Sequence, residues 1–227
     1  MKKPDLTHIK TWIFDLDNTL YPPSQYIMNQ ISQRIGLYIQ QYLNLSPMEA
    51  KKIQKQYFYE FGSSMKGMME YHHIDPYDYM DFVHRLDYEK LRPNAELIEA
   101  IQALKGKKYI HTNASKAHAM NVLGRLNMQN LFDGIFDIAD GDFIPKPHLS
   151  NFQAIIKRFG LDPNHCLMVE DLAHNLEQPA KLGMTTLLYK EDSPQAVYAG
   201  YHDQAIQDYA DYIHYSCDDL AKFLSEQ

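Results

Sequence analysis

The sequence predicts an α/β protein of three layers: a mostly parallel sheet between two layers of helices, interrupted near its start by an all-helical insertion. Strand-length apolar runs recur along the chain, and most lack the strict alternation of a half-exposed strand, as parallel strands covered on both faces should. Helical stripes separate these runs, and alternating strands and helices imply parallel crossover units. From about Pro22 to Arg92 only helical patterns occur, so an insertion of about seventy residues interrupts the alternation.

The first run, "TWIF", drives into Asp15, with Asp17 one residue further on, and the chain then turns away through Pro22 and Pro23. Within the insertion Ile27, Ile31, Ile35, Tyr38 and Tyr42 recur at helical spacing, and the segment is rich in Tyr and Met. "LRPN" at 91–94 marks its exit, with Pro93 expected at a helix start. Leu97, Ile98, Ile101 and Leu104 stripe that helix, with Gly106 expected as its C-terminal cap. "KKYIHT" is the next strand, ending at Thr112, and "SKAHAMNVLGRL" is a helix capped by Ser115. Phe152, Ile155, Ile156 and Phe159 form a further helix closed by Gly160. "CLMVE", "TTLLY" and "DYIHYS" read as strands, and "YSCDDLAKFL" as a strand end and closing helix. The expected division is residues 1–21 and 93–227 for the core and 22–92 for the insertion.

A length of 227 residues suits one large domain, or a core carrying a smaller insertion. The formal charge of −7 argues against tracking a nucleic-acid backbone, which takes clustered Lys and Arg, but leaves room for a local phosphate pocket. No apolar stretch approaches bilayer length, and the start shows no secretory pattern. Cys166 and Cys217 are too few for a disulfide framework and suit a reducing, cytoplasmic setting. Neither has a neighbour that suggests chemistry.

In an open α/β sheet, ligands bind beyond the carboxyl ends of the strands. Asp15, Thr112 and Asp171 all fall at such ends and are expected to converge. Asp15 and Asp17 can enter one cleft, where two like charges need a cation, a shared proton or hydrogen bonds. A hard ion such as Mg²⁺ answers this, leaving one carboxylate to attack and the other to exchange a proton. "HTNAS" offers the Thr112 hydroxyl and backbone amides at a helix start, an arrangement suited to an anion. Lys146, between Pro145 and Pro147, could be held as a fixed point charge. Asp171 could complete a metal site, with Glu170 and Asn175 orienting it. Each group also has an ordinary explanation, as a turn, a cap or a surface side chain; the weight lies in their order.

That order, "FDLDNT", "HTNAS", Lys146 and "VED", resembles the haloacid dehalogenase superfamily of phosphatases, across Trp12 to Tyr189. The resemblance implies a Rossmann-like core and a helical cap inserted after the first motif. It further implies Asp15 as nucleophile, Asp17 as acid/base, and Thr112, Asn113 and Lys146 as phosphate binders. Mg²⁺ would then be held by Asp15, the backbone carbonyl of Asp17 and Asp171, with Glu170, Asn175 and Thr19 as supporting groups. Two departures stand out: His111 replaces a usual apolar or aromatic residue, and Glu170 a usual Asp or Gly. "DLDNTLYP", "FDIADGDFIPKP" and "VEDLAHN" further resemble the pyrimidine 5′-nucleotidase branch, implying nucleoside monophosphates such as UMP and CMP as substrates. A phosphatase for phosphoglycolate or sugar phosphates, or a phosphomutase, would keep the same core residues. A non-catalytic phosphate-binding protein would not need all of them. His72, His73, His111 and His118 are read as structural or solvated, because an oxygen-rich site does not call for them. The tyrosines of the insertion are read as packing groups.

Overall fold

The structure, a computed structural model, describes residues 5–191 and 211–227. Residues 1–4 and 192–210 of the expected core lie outside that range. Among the described residues six strands form one sheet: β1 (Thr11–Phe14), β2 (Lys107–His111), β3 (Gly134–Phe136), β4 (Cys166–Glu170), β5 (Thr185–Tyr189) and β6 (Tyr215–Cys217). Their order is β3-β2-β1-β4-β5-β6, with every neighbouring pair parallel.

Alternation along the strands separates two apolar layers. Trp12, Phe14, Ile110, Leu167, Val169 and Leu187 share one cluster with α5 (Ala95–Ala103), α6 (Lys116–Arg125) and α9 (Leu220–Ser225). Ile13, Phe136, Cys166, Met168 and Leu188 join the other with α7 (Leu149–Phe159) and the turn of helix at Ala173–Leu176, which runs into α8 (Glu177–Lys181). Both faces are covered, so the strands read as apolar runs. This is the expected three-layer architecture.

Between β1 and α5 lie a turn of 3-10 helix (Pro23–Gln25), four α-helices and no strand: α1 (Ile27–Leu43), α2 (Pro47–Phe61), α3 (Ser64–His72) and α4 (Pro76–Val83). Local sequence starts three of them. Ser46 and Glu49 form a capping box at α2, Ser63 caps α3, and Asp75 caps α4, with Pro47 and Pro76 in the first turn. The two connections to the core are stitched together. Gln25 accepts from Arg92 N–H at 2.9 Å and donates to its carbonyl, while Gln30 does the same with Asp87. Among the described residues, no helix is long and apolar enough to cross a membrane.

Some elements differ from the sequence reading. β3 was not anticipated, because "GIF" is too short to show a pattern. β6 lies C-terminal to the expected "DYIHYS" start. Pro93 precedes the Asn94 cap rather than opening α5. Gly106 is not the cap of α5, which ends at Ala103. It sits at φ +94, where an added Cβ would come within 2.1 Å of the Lys10 carbonyl oxygen, so the turn into β2 requires it.

Candidate active site

The ladder hydrogen bonds run one residue past the strands and set the first side chains. Asp15 N–H donates to Val169 O at 2.9 Å, and Thr112 N–H to Phe136 O at 3.0 Å. Asp15 therefore leaves β1, Thr112 leaves β2, and Glu170 and Asp171 leave β4, all at carboxyl ends, where the strand order reverses around β1. Asp15 is held at both oxygens: Lys146 Nζ donates to Oδ1 at 2.7 Å and Thr19 Oγ1 to Oδ2 at 3.0 Å.

Lys146 is almost completely buried and spends its ammonium on three acceptors: Asp15, Glu170 Oε1 at 2.7 Å and the His111 carbonyl at 2.8 Å. Glu170 is anchored in turn by Asn175 Nδ2 at 2.8 Å and Leu172 N–H at 2.9 Å. Asn175 thus orients Glu170, not Asp171 as expected. The Asn113 side chain does not face outward as a ligand. It accepts from Lys146 N–H at 2.8 Å and donates to Lys146 O at 3.2 Å, pinning the lysine loop to the end of β2. Thr112 Oγ1 accepts from Ala114 N–H, leaving the Asn113 N–H without an acceptor among the described residues. His111, the departure in β2, is buried edge-on between Phe136 and Phe152 and meets Asn151 Oδ1 at 2.5 Å. Burial first, then Lys146, push its pKa well down, so it packs as a neutral ring.

Asp17 turns its carboxylate away from the other acids. His118 Nε2 donates to its Oδ1 at 2.8 Å, and the Tyr21 hydroxyl donates to the same oxygen. Burial opposes ionisation there, but the His118 charge and the two hydrogen bonds outweigh it, and the Asp17 pKa is lowered. Sequence reasoning set His118 aside and did not single out Tyr21. Nothing in the spacing of a histidine in the first turn of α6 shows that it reaches a residue 101 positions earlier.

Asp15, Glu170 and Asp171 present ligand oxygens that all lie within 4.8 Å of one another. Burial, then Lys146 against Glu170 and Asp17, leaves Asp15 raised to about 7, while burial and its acidic neighbours push Asp171 well up. Three buried carboxylates share the single ammonium of Lys146, an excess of two negative charges if all ionise. An oxygen-rich set with that deficit fits a hard divalent cation. The Asp17 carboxyl is outside this cluster, as expected of a residue whose backbone carbonyl was the anticipated ligand, while Glu170 joins Asp15 and Asp171 in it.

These residues line one end of a cavity of about 170 Å³, several times the ~30 Å³ of a liquid water. The other end is built by the inserted helices, mainly from Met28, Ile31, Ile35, Phe58, Met65 and Met80, with Ser63, Ser64 and Tyr79 among them. His84 also lines it, its pKa lowered to about 3 by burial and by His118. Among the described residues, this wall carries no Lys or Arg.

The family model for haloacid dehalogenase-like hydrolases matches residues 9–183. The chain belongs to that family. Phosphate metabolism protein 8 of Saccharomyces cerevisiae is 27% identical over 198 residues, covering 79% of this chain but 61% of that protein. The chain thus spans about three-fifths of that relative's length. Glyceraldehyde 3-phosphate phosphatase of Methanocaldococcus jannaschii is 27% identical, covering 93% of this chain and 95% of its own. A crystal structure of a HAD phosphatase from Thermococcus onnurineus superposes with a TM-score of 0.59 at 21% identity, covering 94% of this chain and 95% of that one; it shows the shared fold. In this family member the residues expected from the motifs meet at one cavity: Asp15, Asp17, Thr112, Asn113, Lys146, Glu170, Asp171 and Asn175 line it. Thr19 stands behind, on Asp15.

Proposed function

We propose that the chain is a Mg²⁺-dependent phosphomonoesterase acting on small phosphorylated metabolites, with pyrimidine nucleoside monophosphates such as UMP and CMP as its substrate class. The observation that carries the reading is one cavity with two ends. One end holds Asp15, bonded at both oxygens, beside Lys146 and Thr112. The other is mostly apolar, carries no cationic side chain among the described residues and includes the aromatic ring of Phe58.

In this reading Asp15 attacks phosphorus, and the bond from phosphorus to the ester oxygen breaks. Asp17 donates a proton to the departing alcohol. Water then attacks the aspartyl-phosphate, Asp17 takes its proton, and phosphate leaves with Asp15 restored. Thr19 and Lys146 fix the angle of Asp15. The Thr112 hydroxyl and the Asn113 N–H donate to the phosphoryl oxygens, and Lys146, its three N–H groups already on protein acceptors, contributes its positive charge. Mg²⁺, held by Asp15, Asp171 and the Asp17 carbonyl, would offset the repulsion between carboxylate and phosphate. Residues 22–92 act as a cap that keeps bulk water from the cavity.

The wall of the insertion supports a substrate whose leaving group is uncharged. A second anion, such as the carboxylate of phosphoglycolate, would meet Met and Ile, the neutral side chains of Ser63, Ser64 and Tyr79, and a neutral His84, with no cationic side chain among the described residues to pair it. A triose phosphate, the substrate named for the archaeal relative, satisfies the same condition and is the second reading. Phosphate release with Mg²⁺ would be measured for UMP, CMP, AMP, GMP, glyceraldehyde 3-phosphate, phosphoglycolate and hexose phosphates, with Asp15→Asn as the blank. The highest kcat/KM for UMP and CMP, abolished in the blank, is expected. Preference for the triose phosphate keeps the mechanism and removes the nucleotidase. Phosphoryl transfer between positions of one sugar, without release, identifies a mutase.

A further inference from the structure

The two hydrogen bonds to Asp17 end on one atom. His118 Nε2 and the Tyr21 hydroxyl both reach Oδ1, and Oδ2 has no protein partner among the described residues. Oδ1 can accept both bonds whether Oδ2 is ionised or protonated. The His118 ring is itself held from its other side. Its Nδ1 lies 3.0 Å from the Tyr88 hydroxyl, and its face stacks on His84 at 4.5 Å between centroids. His84 Nδ1 lies 3.0 Å from Ser115 Oγ, the cap of α6, and the Tyr88 hydroxyl also reaches the His84 carbonyl at 3.2 Å. His84 and Tyr88 belong to the stretch by which the chain leaves the inserted helices, whereas His118 belongs to the core. His118 is completely buried at the centre of this framework, while His84 and Tyr88 are half-buried.

We propose that His118 and Tyr21 are positioning residues for Asp17: by holding Oδ1 they leave Oδ2 alone to pass the proton to the leaving oxygen and take it back from water. Tyr88 and His84 fix His118, so the stretch leaving the insertion and the proton-bearing oxygen share one framework. This rests on the reading of Asp17 as acid/base.

The loss should fall where proton delivery matters. An alkyl phosphate needs its leaving oxygen protonated; 4-nitrophenyl phosphate, whose phenolate is stable, hardly does. General acid–base groups contribute ~10²–10⁴-fold, and a mis-set Asp17 should forfeit part of that. The comparison is kcat/KM on both esters, taking as the alkyl ester the best member of the substrate panel. For His118→Leu and Tyr21→Phe the expected loss is roughly 10–100-fold on the alkyl ester and under about threefold on the aryl ester. His118→Gln, which restores an N–H donor, should recover much of the difference. Tyr21→Phe removes a hydroxyl without a change of shape and decides the matter if His118→Leu does not fold. Equal losses on both esters, or no loss on either, overturn the proposal. Asp17→Asn is the control for the reading beneath it: full activity on the alkyl ester there would remove the acid/base role itself. An inactive Asp17→Asn beside an unaffected His118 and Tyr21 pair would overturn only the positioning.

Discussion

Replacing Lys146 by Met removes the one positive charge among three buried carboxyl groups while keeping chain length and apolar volume. Each contact at 2.7 Å, to Asp15 and to Glu170, corresponds to about 6 kcal/mol at an effective dielectric constant of about 20. Most of that attraction offsets the cost of stripping water from the ions. Removing one partner of a buried pair nonetheless costs about 3–5 kcal/mol, because the abandoned charge stays buried. Without metal at pH 8.5, Lys146→Met should therefore unfold at roughly 1–2 M less urea than the parent, taking a slope of about 2.5 kcal/mol/M. The penalty has a definite pH sign. Losing the ammonium moves the Asp15 pKa further up from about 7, so the folded mutant binds a proton more readily than the folded parent. The deficit should shrink as the pH falls towards 5.5. Adding Asp15→Asn to Lys146→Met should recover part of it at high pH, since one abandoned charge is gone. Urea titrations in chelator at both pH values, followed by tryptophan fluorescence and circular dichroism, would measure all of this. Equal midpoints at pH 8.5, or a deficit that grows on acidification, would refute the charge argument.

Two further outcomes are expected. Without metal, the parent should lose stability as pH rises from about 4 through about 7, because Asp15, and Asp171 in the same direction, hold protons in the folded state that the unfolded chain releases; the Asp15 share is on the order of 4 kcal/mol, and saturating Mg²⁺ should reverse the slope. Glu170, lowered by Lys146 against its burial, acts in the opposite sense, its contribution being lost as pH falls below the ordinary carboxylate range, so a monotonic rise of metal-free stability from pH 4 to 8 would contradict the balance. Gly106→Ala must adopt φ +94 and place a methyl 2.1 Å from the Lys10 carbonyl, and should cost at least about 1–3 kcal/mol; an unchanged melting temperature would show that the turn relaxes freely.

The parallel sheet was legible because strands covered on both faces are dominated by apolar residues without strict alternation, as "TWIF", "CLMVE" and "TTLLY" are. Their ends were legible because a carboxylate or threonine at the edge of such a run breaks the pattern, which locates Asp15, Thr112 and Asp171. β3 left no trace: three residues cannot display a period. Gly106 was misjudged because a glycine after a helical stripe looks like a cap, and the approach of Lys10, which decides its role, comes from nearly a hundred residues away. The Asn113 side chain has a role the sequence did not show, since its amide ties down the backbone of Lys146. His118 and Tyr21 were harder still. A buried histidine has the same sequence signature whether it meets a carboxylate or a phenyl ring, and only the fold brings α6 against the residues after β1. The apolar wall of the cavity follows the same logic. Its methionines and isoleucines have helical spacing whether they face a substrate or one another.

The paired glutamines at the neck carry a wider meaning. With Gln25 bonded to Arg92 and Gln30 to Asp87, the strand end and α5 are joined as if by a hairpin, whatever lies beyond. Closure entropy grows only with the logarithm of length, about 0.6 kcal/mol per doubling. The sheet is therefore nearly blind to the size and content of what is threaded through that neck. Such a junction lets a catalytic floor stay fixed while its ceiling is lengthened, shortened or exchanged over evolutionary time.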